Sequence, residues 1–225
     1  MWSFEVKQTK QIVKIPESWN EITLGHYGKF IDATNKLKEK LEKNETIDTN
    51  LFDIVKNYRS EFNAMFAAFT GLNPSFVNKI KANNIINVYL HIRSFLEPPK
   101  PKAITSFKFK GTEYFLPKNK TDYFGNVLEF GEATFGEVVE AMQIQELSEQ
   151  FIENNYLALP YQIAILCRPE GEQYDDQNIS ERSKMFNELP MSVVWDIAFF
   201  LIRHKNKSLN YLSQFLEQKQ KVNQL

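Results

Sequence analysis

A chain of 225 residues with 43% hydrophobic and 24% charged side chains has the balance of a globular protein that buries a core, in one large or two small domains. A formal charge of −1 excludes a global pull toward nucleic acid or a membrane surface. The single cysteine, Cys167, excludes an internal disulfide, and 19 Phe with 9 Tyr demand a dense core or a partner surface.

The first segment, FEVKQTKQIVKIP, alternates around Ile12, Val13 and Ile15 and predicts a short strand or hairpin ended by Pro16. Thr23 then offers an N-cap, and Leu24, Tyr27, Phe30, Ile31, Leu37 and Leu41 follow at helical spacing. Gly25 and Gly28, one turn apart, either leave room for another element to approach closely or mark a frayed first turn. LFDIVKNYRSEFNAMFAAFT predicts a second helix with an apolar stripe from Leu51 to Phe69. Gly71 suits the left-handed residue that closes it, Asn73 suits the next cap, and Pro74 suits a first helical position. FTGLNPSFVNKI therefore predicts a tight helix-turn-helix corner with Leu72 packed into it. NIINVYLHIRSFL gives a third helix, stopped by the EPPKPK run.

Beyond that run the hydrophobic period changes. ITSFKFKGTEYFLP predicts a β-hairpin turning at Lys110-Gly111. NVLEFGEATFGEVVEAMQIQELSEQFIENN starts as a strand and turns helical at Thr134, where Thr134 and Glu137 make a capping box. A helix from Pro160 to Pro169, an acidic loop from Glu170 to Asp176 and a short helix from Ser180 follow. MSVVWDIAFFLIRHKNKS and SLNYLSQFLEQKQ predict the last two helices. T-L-G-H-Y (Thr23 to Tyr27) and T-F-G-E-V (Thr134 to Val138) share a pattern that fits a duplicated strand-helix unit or convergent helix-start chemistry. The expected fold is α+β, predominantly α-helical with a small antiparallel sheet or hairpin. Its expected parts are an N-terminal strand plus helical region over 1–97, a Pro/Lys linker over 98–102 and a hairpin plus helical region over 103–225, or one continuous domain.

Motifs for chemistry are sparse. His26, His91 and His204 lie far apart and outside any H-E-x-x-H or cysteine-paired pattern, so zinc and nucleophile-base readings have no local signal. Cys167 follows IAIL and reads as a buried structural thiol. Glu170, Glu172, Asp175 and Asp176 lack the spacing of a calcium loop; they read as a solvated turn, or as an acidic docking loop for a basic partner. No phosphate-loop, dinucleotide or nucleophile-elbow pattern occurs, and KLKEKLEK mixes Lys with Glu without aromatic interleaving. No catalytic residue, cofactor, metal or nucleic acid is therefore expected. MWSFEVKQTKQ lacks an apolar signal core, and VVWDIAFFLI is about half a membrane span and carries Asp196; both fit a soluble, cytoplasmic product. Charge is uneven along the chain: Met1 to Thr112 holds 17 Lys+Arg against 11 Asp+Glu, and the remainder 10 against 17. Such a dipole suits packing of the two halves, orientation on a partner or head-to-tail self-association.

IPESWNEITLGHYGKF, the FTGLNPSFVNKI corner, ATFGEVVEAM and IAILCRPEGEQYDDQNISERSKMFNELPMSVVWDIAFFL together resemble morphogenesis proteins of tailed bacteriophages. The helix–T-G-L–helix corner is similar to segments of phage tail assembly chaperones. The resemblance implies a non-enzymatic assembly factor in the host cell cytoplasm that binds an apolar or helical partner such as the tape measure protein. A structural virion component (connector, tail or capsid-associated protein) and an enzyme of unknown type are the alternatives. A grip for a partner helix needs exposed apolar side chains. The expected ones are Phe69, Leu72 and Phe76 at the corner and Trp195, Phe199 and Phe200 on the late apolar helix.

Overall fold

The computed structural model describes residues 2–6, 10–43, 50–100, 102–116, 152–172 and 175–200, together with 143, 146, 147, 149 and 150. The Thr134–Glu137 capping box, the strand before it, the second T-x-G pattern, His204 and the last predicted helix lie outside the described residues. Among the described residues the fold is mostly helical, as the hydrophobic periods predict, with two small antiparallel sheets of two strands each. The chain divides into two compact units. Unit 1 holds Met1–Lys100 together with Asn154–Leu157 and Asn187–Ser192; unit 2 holds Pro101–Glu153, Ala158–Phe186 and Val193–Leu225.

In unit 1, strands β1 (Trp2–Val6) and β2 (Gln11–Ile15) form an antiparallel hairpin with Trp2 opposite Ile15 and Val6 opposite Gln11. Val6, Val13 and Ile15 share its buried face. Ile12 falls on the other face and is exposed, as the period of two requires once Val13 points inward. The ring Nε2 of His91 donates to the carbonyl of Pro16 at 2.6 Å and ties the end of the hairpin to a later helix.

Helix α1 (Leu24–Lys43) buries Leu24, Tyr27, Phe30, Ile31 and Leu37 along one stripe. Thr23 caps it: its Oγ1 accepts from the His26 amide at 3.3 Å. Two more amides of the first turn are satisfied from far away in sequence, Leu24 by the carbonyl of Leu189 (2.8 Å) and Gly25 by that of Asn187 (2.9 Å). The strap 187–192 continues this pairing, with Met191 N–H donating to Ile22 and Ser192 N–H to Trp19. It can lie this close because a Cβ on Gly25 would stand 2.9 Å from Asn187 Oδ1 and 3.2 Å from its carbonyl oxygen. Gly28 does the same for the second returning segment, where a Cβ would meet Leu157 Cδ2 at 3.0 Å and the Tyr156 carbonyl carbon at 3.3 Å. The two glycines thus admit neighbouring backbone, the first of the two sequence readings.

The predicted second helix is two helices, α2 (Leu51–Asn57) and α3 (Arg59–Thr70). Tyr58, at φ −128° and ψ 39°, leaves helical geometry, yet its amide still bonds to Ile54 and its carbonyl to Phe62, so the axis kinks without a loop. Asn50 caps α2, accepting from Phe52 and Asp53. The corner is built as its residues predict. Gly71 sits at φ +70°, Leu72 is buried, and Asn73 Oδ1 accepts from Ser75 N at 3.0 Å ahead of the four-residue helix α4 (Pro74–Val77). Helix α5 (Ala82–Ile92) ends in a 3₁₀ turn, Arg93–Phe95.

An aromatic cluster fills the centre of unit 1. The Tyr27 ring packs edge-on against Trp19 (5.3 Å) and Tyr156 (5.0 Å), and its hydroxyl donates to the carbonyl of Phe95 at 2.8 Å. Burial pushes the Tyr27 phenol well above its ordinary range and the Tyr156 phenol up to about 12. Phe69 joins Phe30 and Phe95 at 5.1 and 5.6 Å.

In unit 2, β3 (Ser106–Phe109) and β4 (Thr112–Phe115) pair around Lys110 and Gly111, both at positive φ (47° and 86°), the geometry of a two-residue primed turn. Phe107 and Tyr114 stack across the strands at 5.5 Å, and both rings contact Phe186. Helix α6 (Leu159–Leu166) stops three residues before the predicted Pro169, because Cys167 turns extended and Arg168 pairs with Phe115. Helix α7 (Asp176–Phe186) starts four residues before Ser180; Asp175 Oδ1 accepts from Gln177 N at 2.8 Å and supplies the cap. Residues 191–200 form helix α8.

Replacing Gly28 by Leu drives a branched side chain into Leu157 and the Tyr156 backbone. The expected loss is about 1–3 kcal/mol, read as a lower urea midpoint with an unchanged slope. Tyr27→Phe removes only the phenol donor to Phe95 and is expected to lose about 1–2 kcal/mol in the same measurement.

Candidate functional site

Helices α1 and α3 pack together in unit 1 and leave an open furrow between them. Its wider end is a cavity of about 700 Å³. Gly25 of α1 and Ala64, Ala67 and Ala68 of α3 line it, with Gly71, Leu72 and Pro74 of the corner closing one side. The periodicity explains the lining. On α3, Phe62, Phe66 and Phe69 take the face toward the core, which leaves Ala64, Ala68 and Gly71, at spacings of three and four, to the furrow.

The polar groups of this cavity have structural duties. His26 donates from Nε2 to the carbonyl of Ala68 at 2.6 Å, in the last turn of α3 where carbonyls lack an intrahelical partner. A carbonyl only accepts, so Nε2 bears the hydrogen and Nδ1 is the acceptor in the neutral ring. Thr23 caps α1, and the Asn187 carbonyl accepts from Gly25. Lys29 is exposed at the rim and has no ion pair or hydrogen bond among the described residues.

Past Ala64 the furrow becomes charged, lined by Asp32, Lys36, Glu39, Lys40 and Lys43 of α1 and by Glu61 of α3. Lys36 bonds Asp32 at 2.7 Å, and Lys40 pairs with Glu61 across the two helices. The Lys40 ammonium beside Glu61 holds its carboxyl below the ordinary value.

The six residues expected to grip a partner divide by burial. Phe69 and Leu72 are core side chains of unit 1, and Trp195 is buried in unit 2; of the three, Leu72 alone reaches a surface, where it lines the furrow. Aromatic and aliphatic side chains at helical spacing went to the core stripe, the commoner fate of such a pattern. Phe76 is half-buried with the Lys79 ammonium 5.0 Å from its ring centroid, Phe200 is half-buried, and Phe199 on α8 is exposed. Leu72 alone of the six lines the furrow. The residues that shape it, Gly25, Lys29, Ala64 and Ala68, were not singled out as a site. The signal was present in AMFAAFTG, where small residues recur on the face opposite the phenylalanines.

In unit 2 the acidic loop is partly drawn inward. Arg182 of α7 is buried, donates from Nη1 to the carbonyls of Ala164 (2.8 Å) and Cys167 (3.3 Å), and pairs through Nη2 with Glu172. Its guanidinium lies 5.8 Å from the Tyr114 ring centroid. Glu172 therefore holds a buried cation, and Asp175 caps α7; neither is simply a solvated turn residue. Cys167 is buried as predicted, and burial pushes its thiol up to about 12.

No protein-family model matches the chain, and no curated protein or solved structure matches it either.

Arg182→Met strands Glu172 and two carbonyls, and the expected loss is about 3–5 kcal/mol by urea denaturation. Arg182→Lys should recover little of it, because an ammonium cannot fork to three acceptors in the same plane. Iodoacetamide at pH 8 should leave Cys167 unmodified in the native protein and alkylate it in urea, as mass spectrometry reads directly.

Proposed function

We propose that the chain is a non-enzymatic assembly factor of tailed-bacteriophage morphogenesis, of the tail assembly chaperone kind. In this reading it acts in the host cell cytoplasm and holds a helical segment of a tail protein, such as the tape measure protein, in the α1–α3 furrow. The observation that supports it most directly is the furrow's lining, in which Gly25, Ala64, Ala67, Ala68 and Gly71 present nothing larger than a methyl group beside His26, Lys29 and Leu72. A furrow between two packed helices is the shape into which the ridge of a third helix fits, and small residues let its backbone come close. The polar groups beside it support a binding role over a chemical one, since the His26 ring, the Thr23 hydroxyl and the Asn187 carbonyl each hold the fold together. No helix among the described residues is long and apolar enough to cross a membrane.

Ala64 is exposed, so Ala64→Trp fills the furrow without entering the core. In a pull-down from infected cells, the wild-type chain is expected to retain a tail protein. The variant should lose it with an unchanged thermal midpoint, and mass spectrometry of finished particles should find none of the chain. A fixed copy number in particles would make it a virion structural protein instead. Equal retention by wild type and variant would remove the furrow from the reading.

A further inference from the structure

The wider end of the furrow contains no carboxylate among its described lining residues, and Lys29 is its only full positive charge. The other cations of α1 are accounted for. Lys36, Lys38 and Lys40 pair with Asp32, Glu42 and Glu61, and Lys43 meets the carbonyl end of the helix one turn after Glu39. Lys29 is the sixth residue of α1, in the second turn from its N-terminus, where the helix dipole offers a cation nothing. In the free protein, water solvates its ammonium at the rim. An occupant that covers the cavity removes that water, and a cation desolvated beside Gly and Ala without an anion opposes binding.

We propose that the occupant is a partner helix that brings a carboxylate to Lys29, flanked on the same face by Ala, Gly or Ser that seat against Ala64 and Ala68. This rests on the helix-holding reading above and adds the rule by which the helix is chosen. The carboxylate supplies specificity: a helix with a neutral or basic residue at that point buries Lys29 unpaired and is rejected. The small residues supply the close approach. Lys14 of β2, exposed and outside the furrow's lining, takes no part in the choice.

The test uses the full chain and two synthetic alanine-rich helical peptides of about 20 residues, long enough to hold helix in isolation. They differ in one position at the centre of the small-residue face, Glu in one and Lys in the other. Fluorescence anisotropy at low salt is expected to show the Glu peptide binding at least about tenfold more tightly than the Lys peptide. Lys29→Glu should invert that preference, Lys14→Glu should leave it unchanged, and added salt should weaken the Glu peptide's binding. Equal affinities, no binding by either peptide, or a preference that survives Lys29→Glu would overturn the proposal. Should the tail protein still be captured in a manner that Ala64→Trp blocks, only the Lys29 rule falls and the helix-holding function stands. A wild-type chain that dimerises in sedimentation while Ala64→Trp stays monomeric would show a second copy in the furrow and would overturn the partner helix as its occupant.

Discussion

Helix α1 accepts backbone against two turns of its surface only because Gly25 and Gly28 carry no side chain. At Gly25 the strap 187–192 lies close enough for its carbonyls to take the amides of Leu24 and Gly25, which a helix leaves unsatisfied at its start. One turn later Gly28 makes room for Tyr156, whose ring then completes the aromatic cluster around Tyr27. Glycine weakens a helix interior by roughly 0.5–1 kcal/mol relative to alanine. The aromatic and hydrogen-bonded contacts that the two glycines admit outweigh that. The cluster they complete is also what fixes the Tyr27 hydroxyl on Phe95, the last residue of the 3₁₀ turn, so the closing of the chain depends on the same two absences.

Unit 2 is secured by a polar group where unit 1 is secured by close packing. Arg182 gathers the carbonyl end of α6, the Glu172 carboxylate and the face of Tyr114 around one guanidinium. A buried ion pair adds little net stability compared with well-packed apolar residues, because both ions lose their water. Its worth lies in geometry. Five donors in a rigid fork fit one arrangement of acceptors, so α6, α7 and the loop between them have one way to meet. Cys167, whose carbonyl is one of those acceptors, serves through its backbone while its thiol stays protonated in the core.

What the sequence made legible follows the range of the interaction concerned. The 69–80 corner was readable because every part of it is local: a left-handed Gly71, an Asn73 cap and Pro74 in the first turn are decided within six residues. The Lys110-Gly111 hairpin was readable for the same reason. The kink at Tyr58 was hidden because hydrogen bonds continue across it and the apolar stripe does not change phase. The early start of α7 rests on Asp175, in the sequence one acid among several, whose side chain caps the helix. Strap 187–192 and Arg182 depend on partners distant in sequence, and no periodicity announces them. Phe69, Leu72 and Trp195 are buried, because large apolar residues at helical spacing signal a buried face first. The furrow came from the residues between them, whose smallness carries no hydropathy signal.

Closure of unit 1 and the shape of its furrow share residues. Asn187 lines the cavity, and its carbonyl also holds the Gly25 amide; Gly25 lines the same cavity and admits the strap. His26 joins them by fixing α1 to the end of α3 across the furrow. An occupant seated there would therefore touch the strap, the first turn of α1 and the last turn of α3 together, three segments that separate when the chain unfolds. Such a ligand binds the closed form and has no counterpart site on the open one, so its binding free energy adds to closure by mass action. The linkage also runs the other way. Anything that loosens the strap from Gly25 removes one wall of the furrow, so a helix would be held only by a chain already closed around α1.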